Sequence, residues 1–181
     1  MKRTLLLAVA LLVATAFAVA DDGQSGLAVG DSVGAFTVED VTGPAKGESL
    51  CYRCRYGQRP TVAIFTREVD ENLAGLVKEI DGQVAENEDK KLAAFVVLLT
   101  DDTETGKTKL AELATKHGIT NTPLTVYKDS KGPAGYKVAE KCGVNVMFWV
   151  NSKVKSNQAL AGTPDKEQAT KIAGETAKIL E

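Results

Sequence analysis

Apolar residues in this 181-residue chain are grouped into short, nearly uninterrupted runs that alternate with polar, periodic stretches. Three runs have the length and continuity of strands buried on both faces of a sheet: Thr61 to Phe65, Leu92 to Leu99 and Val144 to Val150. Two shorter segments, Phe36 to Asp40 and Pro123 to Tyr127, predict further strands. We therefore expect a sheet whose central strands are fully covered.

Three other segments have the spacing of apolar residues that an amphipathic helix needs. The first follows Asp70, its predicted N-cap, and its apolar residues are Leu73, Leu76, Val77, Ile80 and Val84. The second ends at Gly118, and its apolar residues are Leu110, Leu113 and Ala114. The third is predicted to start with Thr163 as the cap and Pro164 in the first helical position, and its apolar face contains Ala169, Ile172, Ala173, Thr176 and Ile179.

The order of these elements defines a fold class. Strand, helix, strand, helix predicts parallel strands joined by helical crossovers. Val144 to Val150, a turn at Asn151 to Lys153, and Val154 to Leu160 predict an antiparallel hairpin. The expected fold is α/β, with a central mixed β-sheet flanked by helices and with a C-terminal hairpin and helix.

The N-terminus has the parts of a secretory signal peptide. Lys2 and Arg3 precede an apolar run, Leu5 to Val13, which is too short for a spanning helix. Ala18 to Ala20 forms an A-x-A cleavage site. Residues 1–20 are thus predicted to be removed, leaving residues 21–181 as a single domain that is exported to the periplasm or the extracellular space.

The exported chain is expected to be weakly acidic. The full sequence has 22 basic and 24 acidic residues, and loss of Lys2 and Arg3 leaves 20 basic residues. No block of lysine and arginine indicates a nucleic-acid surface, and no later segment is apolar enough to cross a membrane. We therefore expect no nucleic-acid partner, and no membrane association once the signal peptide is cleaved.

The three cysteines, an odd number for an exported chain, are the main candidates for chemistry. Cys51 and Cys54 have the C-x-x-C spacing of a pair that can close a disulfide or hold one side of a metal site. Arg53 and Arg55 flank Cys54, and nearby positive charge lowers a thiol pKa and raises the reactive thiolate fraction. The two cysteines form a candidate catalytic redox pair, with the two arginines as supporting groups.

The order of these segments resembles that of the thioredoxin-like superfamily, and within it the redoxin and peroxiredoxin branch of the alkyl hydroperoxide reductase type. The opening segment of that branch is similar to VGDSVGAFTVEDVTG, its first core strand to TVAIF and its second to LAAFVVLLTDD. The segment that follows resembles NTPLTVYKDSKG, and the final hairpin resembles VNVMFWVNSKVKSNQAL. The resemblance covers nearly the whole predicted mature chain and implies a thioredoxin-like fold.

The active-site cysteine of that branch is missing from this sequence. In peroxiredoxins and thioredoxins it follows the first core strand at a helix N-terminus, where the helix dipole stabilises a thiolate. Here that position is occupied by Thr66 to Glu71, which contains three acids and no cysteine. We therefore expect no conventional peroxidase mechanism. The resemblance also implies that Cys51 and Cys54 lie at the opposite pole of the sheet, where the first core strand begins.

Two registers are open for Cys142. If Val144 to Val150 starts beside the usual active site, Cys142 lies at that pole, far from the C-x-x-C, as a lone buried thiol. If Pro123 to Tyr127 is that strand, with Pro123 as a cis-proline, Cys142 lies towards the C-x-x-C and could resolve it. LATKHGITNTP resembles the thioredoxin segment before that cis-proline, which keeps the second register open. We favour the first register.

The single histidine, His117, is interpreted as a charge partner at the end of a helix. His117 and the three cysteines are too scattered along the chain for a typical zinc site. A c-type haem is disfavoured because Arg55, and not histidine, follows the second cysteine of the C-x-x-C. We expect neither a metal nor another cofactor.

Two functions remain open on the sequence. In the first, Cys51 and Cys54 exchange with the thiols of a partner protein, and the chain is a thiol–disulfide oxidoreductase. In the second, the pair forms a permanent disulfide in a non-catalytic binding or structural module. C-x-x-C pairs have several uses outside catalysis, which slightly favours the structural disulfide. Such a short loop is stabilised little by chain entropy, however, which makes a purely stabilising role less persuasive. The sequence does not decide whether the protein is an enzyme.

Overall fold

The computed structural model describes residues 25–181, so the predicted signal peptide lies outside the described residues. The strands are β1 (Val38–Asp40), β2 (Ser49–Leu50), β3 (Thr61–Thr66), β4 (Ala93–Thr100), β5 (Leu124–Lys128), β6 (Val144–Val150) and β7 (Lys153–Leu160). The α-helices are α1 (Tyr52–Tyr56), α2 (Glu71–Glu86), α3 (Thr103–His117) and α4 (Lys166–Gly174). Two 3₁₀ segments complete the secondary structure, Ala134–Tyr136 and Glu175–Ile179. In this range no helix has the length and apolar character that crossing a membrane requires.

All seven strands form one mixed sheet, in the order β2-β1-β5-β4-β3-β6-β7. The central strands β5, β4 and β3 are parallel, and β1 and β6 flank them in antiparallel orientation. Strands β6 and β7 form the predicted C-terminal hairpin. The predicted α/β class, with a mixed sheet and a terminal hairpin and helix, is therefore confirmed.

One face of the sheet is covered by helices. Its core contains Val62, Ile64, Val96, Val146 and Phe148 from the strands, and Leu73, Leu76, Ile80, Leu110 and Ile172 from α2, α3 and α4. All of these residues are buried. Alternate residues of each strand reach the opposite face, which explains why the central runs are apolar at nearly every position.

The opposite face is covered mainly by loops, and its core is rich in aromatic residues. The strands contribute Ala63, Phe65, Phe95, Val97, Met147 and Trp149, and the segments above them contribute Leu27, Val33, Tyr52, Tyr136 and Val138. Phe36 packs against this core, with its ring centroid 4.7 Å from that of Tyr136. The short helix α1 belongs to this layer.

Two predicted helix ends are confirmed and one is corrected. The Asp70 side chain accepts a hydrogen bond from the Leu73 amide at the start of α2, and Gly118 is left-handed at the end of α3. The third helix starts later than predicted, because Asp165 and Gln168 form a reciprocal capping box. Thr163 instead donates its hydroxyl hydrogen bond to Asp70. The predicted apolar face continues past Gly174 as a 3₁₀ segment rather than as α-helix.

The sequence did not predict β2 or α1. Strand β2 pairs with β1, with Leu50 opposite Val38, and it leads directly to Cys51, the N-cap of α1. Two residues of strand and five of helix are too short to produce a recognisable periodicity. These two elements position the candidate cysteines.

Candidate functional site

Tyr52 anchors the helix that contains the cysteine pair. Its side chain is buried, and its ring stacks on Phe95 with centroids 5.5 Å apart. The Tyr52 hydroxyl donates a hydrogen bond of 2.7 Å to Oδ2 of Asp40, at the end of β1. The first residue of α1 is therefore joined both to the central strand β4 and to the outer strand β1.

Asp40 links this anchor to the turn that follows β1. Its carboxyl oxygens accept hydrogen bonds from the amides of Gly43, at 2.7 Å, and Ala45, at 2.9 Å. A Cβ atom at position 43 would come within 2.8 Å of both carboxyl oxygens of Asp40. Glycine is thus needed at position 43 for the close approach of the turn to the Tyr52–Asp40 pair.

Cys51 and Cys54 form a disulfide across the first turn of α1, with their Cα atoms 5.2 Å apart. The amide of Cys54 donates a hydrogen bond of 3.1 Å to Sγ of Cys51, so Cys51 caps the helix with its sulfur. Cys54 is exposed, whereas Cys51 is partly buried. Of the two cysteines, Cys54 is therefore the more open to an attacking thiol from solution.

The disulfide lies at the pole of the sheet where the parallel strands begin. The Tyr56 hydroxyl donates to the carbonyl of Ala94, near the start of β4. Arg59 Nε donates to the carbonyl of Lys91, which precedes the same strand. This is the pole that the resemblance implied.

The arginines around the pair make different contacts. Arg53 points to the hairpin side: its guanidinium donates to the Val33 carbonyl at 3.2 Å and to the Ser152 hydroxyl at 2.8 Å. Arg59 lies over the Tyr56 ring, with Cζ 5.2 Å from the centroid. Arg55 is exposed, and its guanidinium has no hydrogen bond or ion pair with another described side chain. Of the two predicted supporting groups, Arg53 thus reinforces the loop and Arg55 is free to meet a ligand.

Burial raises the pKa values of the tyrosines beside the disulfide. Desolvation raises the pKa of Tyr52 well above its ordinary range, and the hydrogen bond and charge of Asp40 raise it further. Desolvation also raises the pKa of Tyr56 to about 12, against the opposing charges of Arg59 and Arg55. Both phenols are therefore neutral hydrogen-bond donors at physiological pH and are not bases for thiol chemistry.

At the opposite pole, the segment after β3 is fixed by hydrogen bonds to loops. Arg67 donates from Nε to the Ser130 carbonyl at 3.0 Å and from Nη1 to the Cys142 carbonyl at 2.5 Å. Thr66 bonds with the backbone of Glu68 in both directions. This is the segment in which the resemblance placed the missing reactive cysteine.

Cys142 lies at that second pole, as the first register predicted. Val144 is opposite Thr66 in the β3–β6 pairing, and no peptide bond in residues 25–181 is cis. Cys142 is a free, buried cysteine whose thiol contacts the carbonyls of Val144, at 3.1 Å, and Leu160, at 3.3 Å. The second register, with Pro123 as a cis-proline, is therefore wrong, and Cys142 is not placed to resolve the C-x-x-C.

His117 lies in the last turn of α3, where its Nε2 is 3.3 Å from a carboxyl oxygen of Glu71. Lys116 forms an ion pair with the same carboxyl group. Nowhere in residues 25–181 do three or more His, Cys, Asp or Glu side chains cluster in a way that could hold a metal ion. The histidine thus contacts the first residue of α2.

Tyr52, Tyr56 and Asp40 position the cysteine pair, but none of them was predicted from the sequence. The only available signal was the alternation of aromatic residues with the cysteines and arginines in CYRCRY. It does not identify Asp40 as the partner, because the contact depends on the turn between β1 and β2.

Comparisons with solved structures identify the fold, although neither protein-family models nor curated proteins match the sequence. A candidate protein disulfide isomerase from Bacteroides thetaiotaomicron superposes with a TM-score of 0.64 at 14% identity, over 87% of this chain and 94% of its own. A candidate thiol:disulfide interchange protein, DsbE, from Chlorobium tepidum also gives 0.64, at 13% identity, over 86% and 99% of the two chains.

Peroxiredoxin-type structures match similarly. Peroxidoxin BcpB from Mycobacterium tuberculosis superposes with a TM-score of 0.62 at 14% identity, over 84% of this chain and 95% of its own. Identities this low carry information about the fold alone. Together with the sheet order and the terminal hairpin, these matches establish that the chain has a thioredoxin-like fold.

Proposed function

We propose that this protein is an exported thiol–disulfide exchange protein, and that Cys51 and Cys54 are its reactive pair. The observation that carries the proposal is a disulfide with an exposed cysteine, Cys54, on a segment that other contacts hold in place. A disulfide that cycles must open without loss of the structure around it. The pole is unusual for a thioredoxin-like protein, so the proposal rests on this local geometry rather than on the fold.

The contacts of α1 support this independence from the disulfide. Tyr52 is buried and bonded to Asp40, Arg53 is bonded to Val33 and Ser152, and Tyr56 is bonded to Ala94. None of these contacts involves sulfur. Reduction of the disulfide would therefore leave both thiols in nearly their present positions, ready to pair again.

The different exposure of the two cysteines suggests their order in the reaction. A partner thiolate attacks Sγ of Cys54, a mixed disulfide forms, and Cys51 leaves as a thiolate that the Cys54 amide is placed to stabilise. A second partner thiolate then attacks the partner's sulfur in the mixed disulfide and releases Cys54. The partner is oxidised to a disulfide and loses two electrons and two protons. Cys51 and Cys54 take up two electrons and two protons and become thiols. The reverse sequence oxidises this protein.

The alternative is a binding or structural module with a permanent disulfide. It is favoured by the other pole of the sheet, where the usual thioredoxin-like site is filled by Arg67 and its bonds to the loops. In this case the chain has kept the fold without the chemistry. The pair would then resist reduction at any potential that cells maintain.

The reduction potential of residues 21–181 separates the two functions. After equilibration with glutathione or dithiothreitol buffers, thiols are trapped and located by mass spectrometry. We expect the Cys51–Cys54 couple to titrate above about −300 mV, in the range of exchange proteins rather than of structural disulfides. The double variant Cys51→Ser/Cys54→Ser should lack exchange activity, whereas Cys142→Ser should retain it. A couple that remains oxidised below about −300 mV would support the structural module.

Export is the second part of the proposal, and it rests on residues 1–20 alone. We expect the mature chain recovered from a secreting host to begin at Asp21, which N-terminal sequencing measures. A chain that retains Met1 and stays in the cytoplasm would contradict the proposed export. The proposed exchange chemistry would then depend on the reduction potential alone.

A further inference from the structure

A polar cleft of about 500 Å³ lies beside α1. Its walls come from three parts of the chain: the turn after β1, the end of α1 with the residues that follow it, and the loop that precedes β5. The residues on which the inference depends are Arg55, Tyr56, Arg59, Asn121 and Thr122. Neither Cys51 nor Cys54 lines this cleft.

The charge inside this cleft is positive, although the whole chain has a net charge of −2. Arg55 and Arg59 both lie close enough to Tyr56 to influence its ionisation. Arg59 is held in place by the Lys91 carbonyl and the Tyr56 ring, whereas Arg55 has no competing acid. The guanidinium of Arg55 is thus available for an anion.

The two acidic residues behind the cleft are already engaged. Asp40 accepts hydrogen bonds from Tyr52 and from two backbone amides. Asp81 is buried, accepts from the amides of Thr120 and Asn121, and lies 3.9 Å from Lys78. Neither carboxyl group neutralises Arg55 or Arg59 through a direct contact. The arginines therefore make the electrostatic potential positive where a ligand would bind.

A second observation also indicates a ligand. Thr122 is only 2% exposed and lines the cleft, and its Oγ1 has no hydrogen-bond partner among the described residues. A buried hydroxyl without a partner is unfavourable. Because this oxygen is enclosed in the structure, a ligand oxygen in the cleft would reach it only after the Thr122 side chain turns outward.

The cleft is connected to the disulfide through Arg55. This residue lies one helical turn after Cys51, and its amide donates to the Cys51 carbonyl at 2.9 Å. Residues four apart on a helix lie on the same face. A chain bound through Arg55 therefore passes close to the cysteine pair.

We infer that this cleft recognises an acidic peptide segment of the exchange partner, in which Asp or Glu residues flank the reacting cysteine. The inference rests on the proposed exchange function of Cys51 and Cys54. The partner's carboxylates bind at Arg55 and Arg59, and its thiolate then attacks Cys54. Specificity would come from the charges beside the partner's cysteine, at a place in the fold different from the usual thioredoxin-like site.

Two synthetic peptides test this recognition. One has a central cysteine flanked by two acids on each side, and the other has the matching Gln and Asn residues. Each reduces the disulfide of residues 21–181 at low ionic strength, and acid quenching with mass spectrometry gives the rate of disulfide loss. Each rate is divided by the rate at which the same peptide reduces hydroxyethyl disulfide, because flanking acids alter the intrinsic reactivity of a thiol. We expect the acidic peptide to react about 10-fold faster, and 0.5 M salt to remove the advantage.

Substitutions at Arg55 locate the effect. Arg55→Gln should bring the ratio of the two rates close to one. Arg55→Lys, which keeps the positive charge, should retain most of the advantage of the acidic peptide. Lys109→Gln removes one positive charge from an exposed site on α3, away from the cleft, and should leave the ratio unchanged. A wild-type ratio near one, or an equal loss in Lys109→Gln, would overturn the inference.

A binding experiment keeps this result separate from the exchange function. Cys51→Ser/Cys54→Ser is titrated against a fluorescent acidic peptide that lacks cysteine, and anisotropy is recorded. Saturable binding that Arg55→Gln weakens supports the cleft even if no thiol ever reduces the disulfide, in which case only the proposed exchange is wrong. If the Cys51–Cys54 couple titrates in the range of exchange proteins rather than of structural disulfides but the acidic peptide does not bind, the exchange function stands and the acidic partner is ruled out.

Discussion

Tyr52 contacts two parts of the sheet at once, through its ring on Phe95 and its hydroxyl on Asp40. The ring is part of the aromatic core, whereas the hydroxyl donates a hydrogen bond to a residue twelve positions earlier in the chain. A phenylalanine at this position would preserve the first contact and lose the second. This residue therefore allows packing and hydrogen bonding to be measured separately.

Tyr52→Phe should lower the free energy of unfolding by about 2 kcal/mol, because Asp40 loses a buried hydrogen-bond donor. Urea denaturation of the oxidised protein measures the change. Tyr127→Phe is the matched control, since the described residues provide no hydrogen-bond partner for the Tyr127 hydroxyl, and it should change stability by less than about 0.5 kcal/mol. Equal effects of the two substitutions would mean that the Asp40 bond contributes nothing.

At the level of elements, α1 is too short to be stable by itself. A helix of five residues makes few internal hydrogen bonds, and isolated helices of this length do not form in water. Its order comes from the side chains of Tyr52, Arg53 and Tyr56, which bond to three separate parts of the domain. The disulfide within its first turn adds a local constraint to an element that is already fixed.

Cys51→Ser/Cys54→Ser should therefore lower the free energy of unfolding by no more than about 2 kcal/mol, the chain-entropy value for so short a loop. Serine also caps helices well, so α1 should keep its first turn. Tyr52→Ala should cost more, about 3–5 kcal/mol, because it removes a large buried ring. Urea denaturation compares the two. If the double cysteine variant were the less stable, the disulfide would be the main anchor and the structural module would be favoured.

The elements that the sequence predicted well are those with a strong local cause. β3, β4 and β6 are continuous apolar runs, and α2 starts at an aspartate that caps it. The start of α4 was missed because Thr163 and Asp165 are both good caps, and the choice between them depends on Gln168 and on Asp70 from another helix. Local propensity alone cannot rank two caps that differ in their tertiary partners.

At the scale of the whole molecule, the two faces of the sheet differ in chemistry. The helical face is aliphatic, whereas the loop-covered face contains most of the aromatic core, including Tyr52 and Tyr136, with Tyr56 packed against it. Burial raises the pKa of all three tyrosines, most simply because a phenolate inside an apolar layer loses its hydration. The stability of this layer consequently depends on pH in the alkaline range, where tyrosines ionise.

We expect the stability to fall as the pH rises from about 10 towards 12. Burial raises the pKa of Tyr56 from an ordinary value of 10.0 to about 12. The folded chain therefore retains a proton that the unfolded chain releases in this interval, so the stabilisation is complete below pH 10 and is lost above it. The guanidinium midpoint measured between pH 9 and 11.5 checks this. Tyr56→Phe should show a shallower decline, and a midpoint independent of pH would contradict the linkage.

The candidate site was predictable only in part. The C-x-x-C and its arginines are visible in the sequence, and the order of strands was enough to assign the pair to one pole. The cleft was not predictable, because Gly43, Arg55 and Thr122 become neighbours only when β1, α1 and β5 are assembled. The different roles of Arg53 and Arg55 likewise depend on the hairpin turn at Ser152, which lies far along the chain.

The enclosure of Cys142 has a consequence for the biogenesis of the protein. A third thiol is a hazard whenever a chain with a C-x-x-C folds under oxidising conditions, since it can capture either member of that pair in a wrong disulfide. Once β6 and β7 have closed, the sulfur of Cys142 is buried against two backbone carbonyls at the far end of the sheet. Mispairing is then confined to the interval before the hairpin forms, and completion of the fold itself protects the native cysteine pairing.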